Sequence, residues 1–403
     1  MPANRFLTLH WWTDLLSSRR GQDIRHSVVY AQRLGNDRKT MLFSGKARRR
    51  EQLQKRLVSL TKEDRGNFFR KLHILKTMLR MHLLHSDNLL LWFDNSAIQS
   101  ILHQEKPSRA VSFSVLLAFL ILVEDYCLLD VACHVSAVTV FEANHLQAIN
   151  SERETNLVLR PIADAIASIG LECLAVGFDG SKELGAQMRR IKGDAEMLRR
   201  AVDDVRRRNW KLDKPTHGRV GIPLPLAFAE EEVPSVVMRY FAPWHAKLIL
   251  MHRIVERLYE DNAHWPEFRR LCDQELRQKA VGQMISTAKN RLNGLGDIEL
   301  YSLCELNTQS ASKSVATNLT VSFDETLNHA LWNRLQLRGN SLTYRGGQSD
   351  PEAFSKAFIY ELRRQEKLDR KLAGKSEQFD QVLKEFNEHE LRPWFAETGD
   401  ARA

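Results

Sequence analysis

The stretch Leu89-Leu90-Leu91-Trp92-Phe93-Asp94-Asn95-Ser96-Ala97-Ile98 decides how this chain reads. Five consecutive large apolar residues with no polar alternation fit a strand buried on both faces, as in a parallel sheet covered by helices. Asp94-Asn95-Ser96 then closes the strand with residue types that favour turns and helix N-caps. Upstream, Thr61-Lys62-Glu63-Asp64 is a variant capping box. It predicts a helix to about His85 with Phe68, Leu72, Leu75, Met78 and Leu79 on one face, broken by Ser86-Asp87-Asn88.

Working outward, the pattern turns helical from Lys46, while residues 1–44 mix aromatics, arginines and short β-like runs such as His26–Ala31. Pro107-Ser108 reads as a loop, followed by an apolar helix from about Ser112 to Leu128. Val131–Ser136 is a second strand candidate, with Thr139 as the cap of a helix through His145. Residues 150–290 read as helical without strand alternation, including the arginine-rich Met188–Trp210 and a loop marked by Pro215, Pro223, Pro225 and Pro234. After Gly294 and Gly296, a helix starts at Asp297, a strand covers Leu319–Phe323, and another helix begins near Glu325. Asp350 and Pro351 open a charged helix to about Phe386.

Composition bounds the chemistry. The chain has 403 residues, 59 Lys and Arg against 50 Asp and Glu, and 43% hydrophobic residues, which excludes wholesale disorder and suggests two or three domains. Charge is unevenly placed. Residues 1–88 hold 19 basic and 7 acidic residues, a surplus of 12, whereas 89–325 carry a small acidic excess. A basic region beside an acidic body is the pattern expected when one part tracks phosphates; a solvated helix face is the alternative. Cys127, Cys133, Cys173, Cys272 and Cys304 form no CxxC pair, so neither a disulfide framework nor a zinc site is expected. The apolar run Val111–Val123 meets Glu124 and Asp125 at once and is shorter than a bilayer requires. With no apolar leader after Met1, a cytoplasmic protein without a membrane partner is expected. No GxxxxGK[ST] loop, GxSxG elbow or HExxH pair occurs.

Four acidic residues stand at element ends: Asp94, Glu142, Asp297 and Asp324. Strand C-termini of a parallel sheet face one crevice, so carboxylates there can converge. Clustered carboxylates repel unless a hard cation sits among them, and Mg²⁺ or Mn²⁺ prefers oxygen ligands. Each acid also has a plain reading: Asp94, Asp297 and Asp324 as helix caps, Glu142 as a solvated helix residue.

The order and context of these four resemble the PIN-domain nucleases. Phe93-Asp94-Asn95-Ser96-Ala97-Ile98 is similar to the strand-end Asp motif that opens that family. Val135-Ser136-Ala137-Val138-Thr139-Val140-Phe141-Glu142 resembles its second acidic motif, Gly296-Asp297-Ile298-Glu299-Leu300 its third, and Leu319-Thr320-Val321-Ser322-Phe323-Asp324 its closing strand and Asp. The resemblance implies an α/β, PIN-like three-layer fold with a central, mostly parallel sheet. It also implies a Mg²⁺- or Mn²⁺-dependent nuclease in which Asp94, Glu142, Asp297 and Asp324 hold the metal and Ser96 hydrogen-bonds to the site. Either Asp297 or Glu299 could be the third ligand. The interval between second and third acids is far longer than in the compact family fold. The expected organisation is therefore a basic helical region over 1–88, a core over 89–149 and 291–335, a helical insertion or lid over 150–290, and a charged helical tail over 336–403.

On this reading the substrate is nucleic acid, RNA ahead of DNA. It would be gripped by Arg48, Arg49, Arg50, Lys55 and Arg56, with Arg199, Arg206 and Arg207 as a second wall. Trp11, Trp12, Trp244 and Trp265 are candidate base-stacking residues, though core positions suit them better. A toxin or anti-phage role is an expectation by analogy, and a homo-oligomer or a regulatory protein partner is compatible with it. Separately, Arg80 and His85, with four residues between them, resemble the motif of metal-independent HEPN ribonucleases, from which Met81 departs. A non-catalytic nucleic-acid-binding or assembly protein on the same scaffold is the alternative.

Overall fold

The computed structural model describes residues 37–145, 152–176, 184–207, 294–304, 316–328, 331 and 373–395. They fall into two compact units. The first comprises Met1–Met188, Gln309–Phe323 and Asp350–Ala403; the second comprises Arg189–Thr308 and Asp324–Ser349.

The first unit is built on a four-stranded, all-parallel sheet. Its strands are β1 (Leu89–Phe93), β2 (Cys133–Ser136), β3 (Cys173–Val176) and β4 (Thr317–Val321), in the order β3-β2-β1-β4. Parallel neighbours need crossover connections, and helices supply them. These are α1 (Asp37–Ser59) and α2 (Lys62–His85) before the sheet, then α3 (Asn95–Leu102) and α4 (Pro107–Ile121) after β1. After β2 come α5 (Ala137–Ala143) and α6 (Glu152–Ser168), and after β3 comes α7 (Leu184–Arg207), which the two units share. All five residues of β1 are buried, so both faces of this central strand are covered, as its unbroken apolar run requires. The class is therefore α/β with a parallel sheet and mostly helical content.

Several boundaries differ from the sequence expectations, each for a physical reason. β1 and α2 stand where they were expected, and Thr61 caps α2 by accepting a bond from the Asp64 N–H. The apolar helix starts at Pro107 rather than Ser112, because proline suits a first helical turn where its missing N–H costs nothing. Through a π-turn over Leu122–Tyr126 this helix reaches 20 residues, long and apolar enough to cross a membrane by length and composition only. Val111 to Val123 are all buried within the protein. Ser136, not Thr139, caps α5, accepting from the Thr139 N–H at 3.1 Å. The strand expected at Leu319–Phe323 is shifted to Thr317–Val321, where its five residues pair in register with β1.

The largest correction concerns 150–290, read as strandless. Cys173–Val176 pairs with β2 and extends the sheet into that segment. A four-residue apolar run has no periodicity with which to separate strand from helix. Cys133 and Cys173 are register partners there. The expected β-like run His26–Ala31, the prolines of 215–234, and Asp350 and Pro351 lie outside the described residues.

The helical layer is pinned where α1 crosses the end of α6. Helix α6 finishes in a Schellman motif: Leu171 N donates to Ile166 O and Gly170 N to Ala167 O, with Gly170 at φ +78°. Arg49, only 2% exposed, reaches the next carbonyls, with Nη2 2.8 Å and Nε 3.1 Å from Ile169 O. Its charge is matched by an ion pair to the buried Glu124 of the π-turn, to which Lys46 also comes within 3.5 Å. Such close approach needs glycine. A Cβ on Gly45 would lie 2.5 Å from Gly170 N, 2.6 Å from Ser168 O and 2.8 Å from Ala167 O.

A C-terminal helix over 373–386, a π-turn over Asn387–Leu391 and a last turn at Arg392–Phe395 dock on α1 and α2. Phe395 packs on Phe68 and Phe69, and Phe386 meets Tyr126 edge-on. The second unit holds α8 (Leu295–Cys304), whose Leu295, Ile298, Leu300 and Tyr301 are buried, and a helical turn over 325–328.

Two outcomes follow from this packing. Gly45→Ala gains helix propensity of roughly 1 kcal/mol but drives Cβ into backbone that cannot move aside. Denaturant unfolding should show a net loss of about 1–3 kcal/mol. His134 on β2 is buried, its Nδ1 3.0 Å from Leu91 O, and burial lowers its pKa from 6.5 to about 4. The unfolded chain takes up this proton first as pH falls, so stability should decline from about pH 6.5 towards pH 4. In His134→Gln that part of the pH dependence should vanish from thermal unfolding profiles.

Candidate active site at the strand ends

The chain passes from β1 to β2 on one side and returns to β4 on the other side of β1. Strand order therefore reverses between β1 and β4. In open parallel sheets that reversal opens a crevice beyond the strand C-termini, where ligands bind. Asp94 follows β1 directly, and Ser322 and Phe323 follow β4.

Asp94 ties the three elements that meet there. Its backbone N–H donates to Val321 O at 3.1 Å, extending the β1–β4 ladder by one bond. Its side chain, in a residue only 3% exposed, caps α3, with Oδ2 accepting from Ser96 N at 3.1 Å. The same oxygen accepts from Ser96 Oγ and from Ser322 Oγ, the latter at 2.8 Å. Ser96 Oγ in turn accepts from Phe323 N at 2.8 Å. One carboxylate oxygen thus receives three donors drawn from α3 and from the segment after β4. Bonds of this charge-assisted kind are shorter and stronger than neutral ones, and they fix the plane of the carboxyl group.

Sequence inspection singled out Asp94 and Ser96, and the structure brings them together. It missed Ser322. The available signal was a serine just beyond an apolar strand and two residues before Asp324. Ser136 and Thr139 add a hydroxyl pair 3.1 Å apart at the C-terminal end of β2.

The other proposed acids stand as follows. Glu142 lies in the last turn of α5 and is half-buried; Asp94 and Glu142 both belong to the first unit. Asp297 is half-buried in the first turn of α8, two residues in rather than at the cap, with Glu299 also half-buried. Asp324 caps the helical turn that follows it, its Oδ1 accepting from Thr326 N at 2.7 Å and Leu327 N at 3.0 Å. Asp297 and Asp324 belong to the second unit. Among the described residues no three His, Cys, Asp or Glu side chains group as a metal site. The donors around Asp94 are a carboxylate and two hydroxyls. That all-oxygen set suits in kind a hard cation held by one or two carboxylates and its own waters.

The basic helices read differently in three dimensions. Arg49 is a correction: it is buried against the end of α6 and Glu124, so it is not presented to a nucleic acid. Arg50 is half-exposed and paired to Asp125 at 3.0 Å and to Glu390 at 2.9 Å, a carboxylate that also accepts from Tyr126 Oη. Arg56 bonds to Gln104 and lies over the Phe113 ring, and burial lowers its pKa. Lys55 is exposed beside Glu51 one turn away, and Arg48 is exposed. Arg199 pairs with Asp203 and Arg207 is exposed, while the side chain of Arg206 lies outside the described residues. Arg80 is held by Ser376 and Asp380, and the side chain of His85 is not described. Trp11, Trp12, Trp244 and Trp265 are likewise outside the described residues.

No family model matches this chain, and no curated protein or solved structure matches it either. The class therefore rests on fold and site: a parallel α/β protein with a buried, hydroxyl-tethered aspartate at its topological switch point.

Removing a donor to Asp94 tests the tether. Ser322→Ala should cost about 1–3 kcal/mol, as expected for a bond to a buried charged group. Ser96→Ala should cost more, because its hydroxyl also accepts from Phe323 N. Denaturant titration of the two variants checks the order.

Proposed function

We propose that this chain is a PIN-like, Mg²⁺- or Mn²⁺-dependent nuclease that hydrolyses phosphodiester bonds, with RNA as its substrate. The observation that carries the reading is the Asp94 carboxylate, buried at the end of β1 beside β4 and oriented by Ser96 and Ser322. An acid held rigidly at a switch-point crevice is what metal-assisted phosphoryl chemistry needs. Asp94 would hold the cation, which when bound supplies Lewis-acid polarisation of the phosphate and a more acidic water. Glu142, Asp297 or Glu299, and Asp324 are the further acids of the proposal, on the sequence resemblance alone.

The chain's own residues do the rest. Ser96 and Ser322 hold the Asp94 carboxyl in one orientation, so no reorganisation is required when substrate arrives. Of the proposed phosphate-binding cations, Arg48, Lys55 and Arg207 are exposed and would meet a phosphate backbone, since Arg49 is buried and Arg50 and Arg56 are engaged within the protein. A cytoplasmic site of action and a defence role are part of the same proposal.

A second reading, a non-catalytic binding or assembly scaffold, is favoured by one observation: capping by itself accounts for the positions of the Asp94 and Asp324 side chains. Substitution separates the two. Asn caps helices as well as Asp but gives up the charge in the bonds from Ser96 and Ser322, so Asp94→Asn should remain folded with a loss of about 1–3 kcal/mol. Cleavage of a labelled RNA with Mn²⁺ should nevertheless fall roughly 100-fold or more, because even outer partners of metal ligands cost about 10–100-fold. Wild-type protein that cuts neither RNA nor DNA with Mn²⁺ supports the scaffold. Cutting that survives both EDTA and Asp94→Asn moves the chemistry to Arg80 and His85.

A further inference from the structure

We propose that Lys71 is the cation that receives the substrate phosphate at the crevice over β1 and β4, which rests on that crevice being a phosphodiester site. Only Ser86, Asp87 and Asn88 separate α2 from β1, so the helix runs back along the sheet, and it packs on β4. The fourteen helical steps from Lys71 to His85 span about 21 Å. A five-residue strand spans about 17 Å. Lys71 therefore stands level with the strand C-termini, not with their starts.

Side-chain contacts agree with that level. Lys71 Nζ lies 5.6 Å from the centre of the Phe323 ring, and Phe323 N donates to Ser96 Oγ, which donates to Asp94. The same ammonium donates to Ser112 Oγ at 2.8 Å, near the N-terminal end of α4. Lys71 is thus anchored between α4 and the segment leaving β4, one aromatic ring from the serine–aspartate cluster. It remains half-buried, where its charge is screened less than at the open surface. A phosphodiester brought beside Asp94 meets like charge, and a fixed cation at the rim of the crevice offsets that repulsion. Lysine acts on phosphate as a point charge, so a single anchored ammonium is sufficient.

The test reads contact directly. Wild-type protein is acylated on lysine with an amine-reactive ester, with and without a single-stranded RNA oligonucleotide, and labelling is followed by peptide mass spectrometry. RNA should protect Lys71 several-fold more than the exposed Lys384, and equal labelling of Lys71 in both samples overturns the proposal. In steady-state cleavage, Lys71→Met should raise KM or lower kcat about 10-fold or more, with Lys71→Arg recovering most of the loss. Thermal unfolding separates lost anchoring to Ser112 from lost phosphate binding: a lower Tm of Lys71→Met with wild-type kinetics, and no RNA protection of Lys71 in the wild type, assigns Lys71 to structure alone and overturns the proposal. Protection of Lys71 in a protein that cuts no RNA upholds the phosphate contact while sinking the nuclease reading. Loss of cutting in Asp94→Asn with unaltered kinetics in Lys71→Met does the reverse.

Discussion

Arg49 binds Glu124 and the carbonyls that follow α6 from one buried position, and the helical layer of the first unit is arranged around that knot. Glu124 lies in the π-turn that follows α4; Ile169 and Gly170 follow α6; Arg49 itself is on α1. One side chain thus joins three helices that are far apart in sequence. Breaking a buried pair of this kind costs up to about 3–5 kcal/mol, less what Lys46, 3.5 Å from Glu124, compensates. The close approach that makes it work depends on two glycines, Gly45 for space and Gly170 for its left-handed backbone.

The same arrangement changes what the basic N-terminal region means. Its surplus of positive charge suggested a surface for phosphates, yet much of it is matched inside the fold. Glu124, Asp125, Glu390 and Asp380 take up Arg49, Arg50 and Arg80, and Asp87 meets Lys375 of the C-terminal helix. Net charge describes a segment; only packing shows which cations are left to a partner. At the sheet the converse holds. Asp94, in sequence a strand-end acid and helix-cap candidate, becomes the point where β1, α3 and the exit of β4 are bonded together.

Much of the first unit was legible in the chain. Leu89–Phe93 reads as a central strand because both of its faces must be apolar, and Thr61 announces α2 because capping is a local interaction between neighbours. β3 was illegible for the opposite reason. Four residues carry no periodicity, and only pairing with Cys133–Ser136 makes Cys173–Val176 a strand. Ser322 was passed over because its partner is 228 residues away. Arg49 was misread because its exposed neighbours Arg48 and Arg50 look the same in sequence, and nothing local says which of the three turns inward.

The sequence by itself determined the α/β class, the central strand, the principal helix caps and the prominence of Asp94 and Ser96, since each follows from contacts within a few residues. Tertiary structure decided the strand order that makes a switch point, the third donor to Asp94, the inward turn of Arg49 and the height of Lys71 against the strand ends. Those depend on pairings between distant segments, and a pairing between distant segments leaves no periodic trace in the chain.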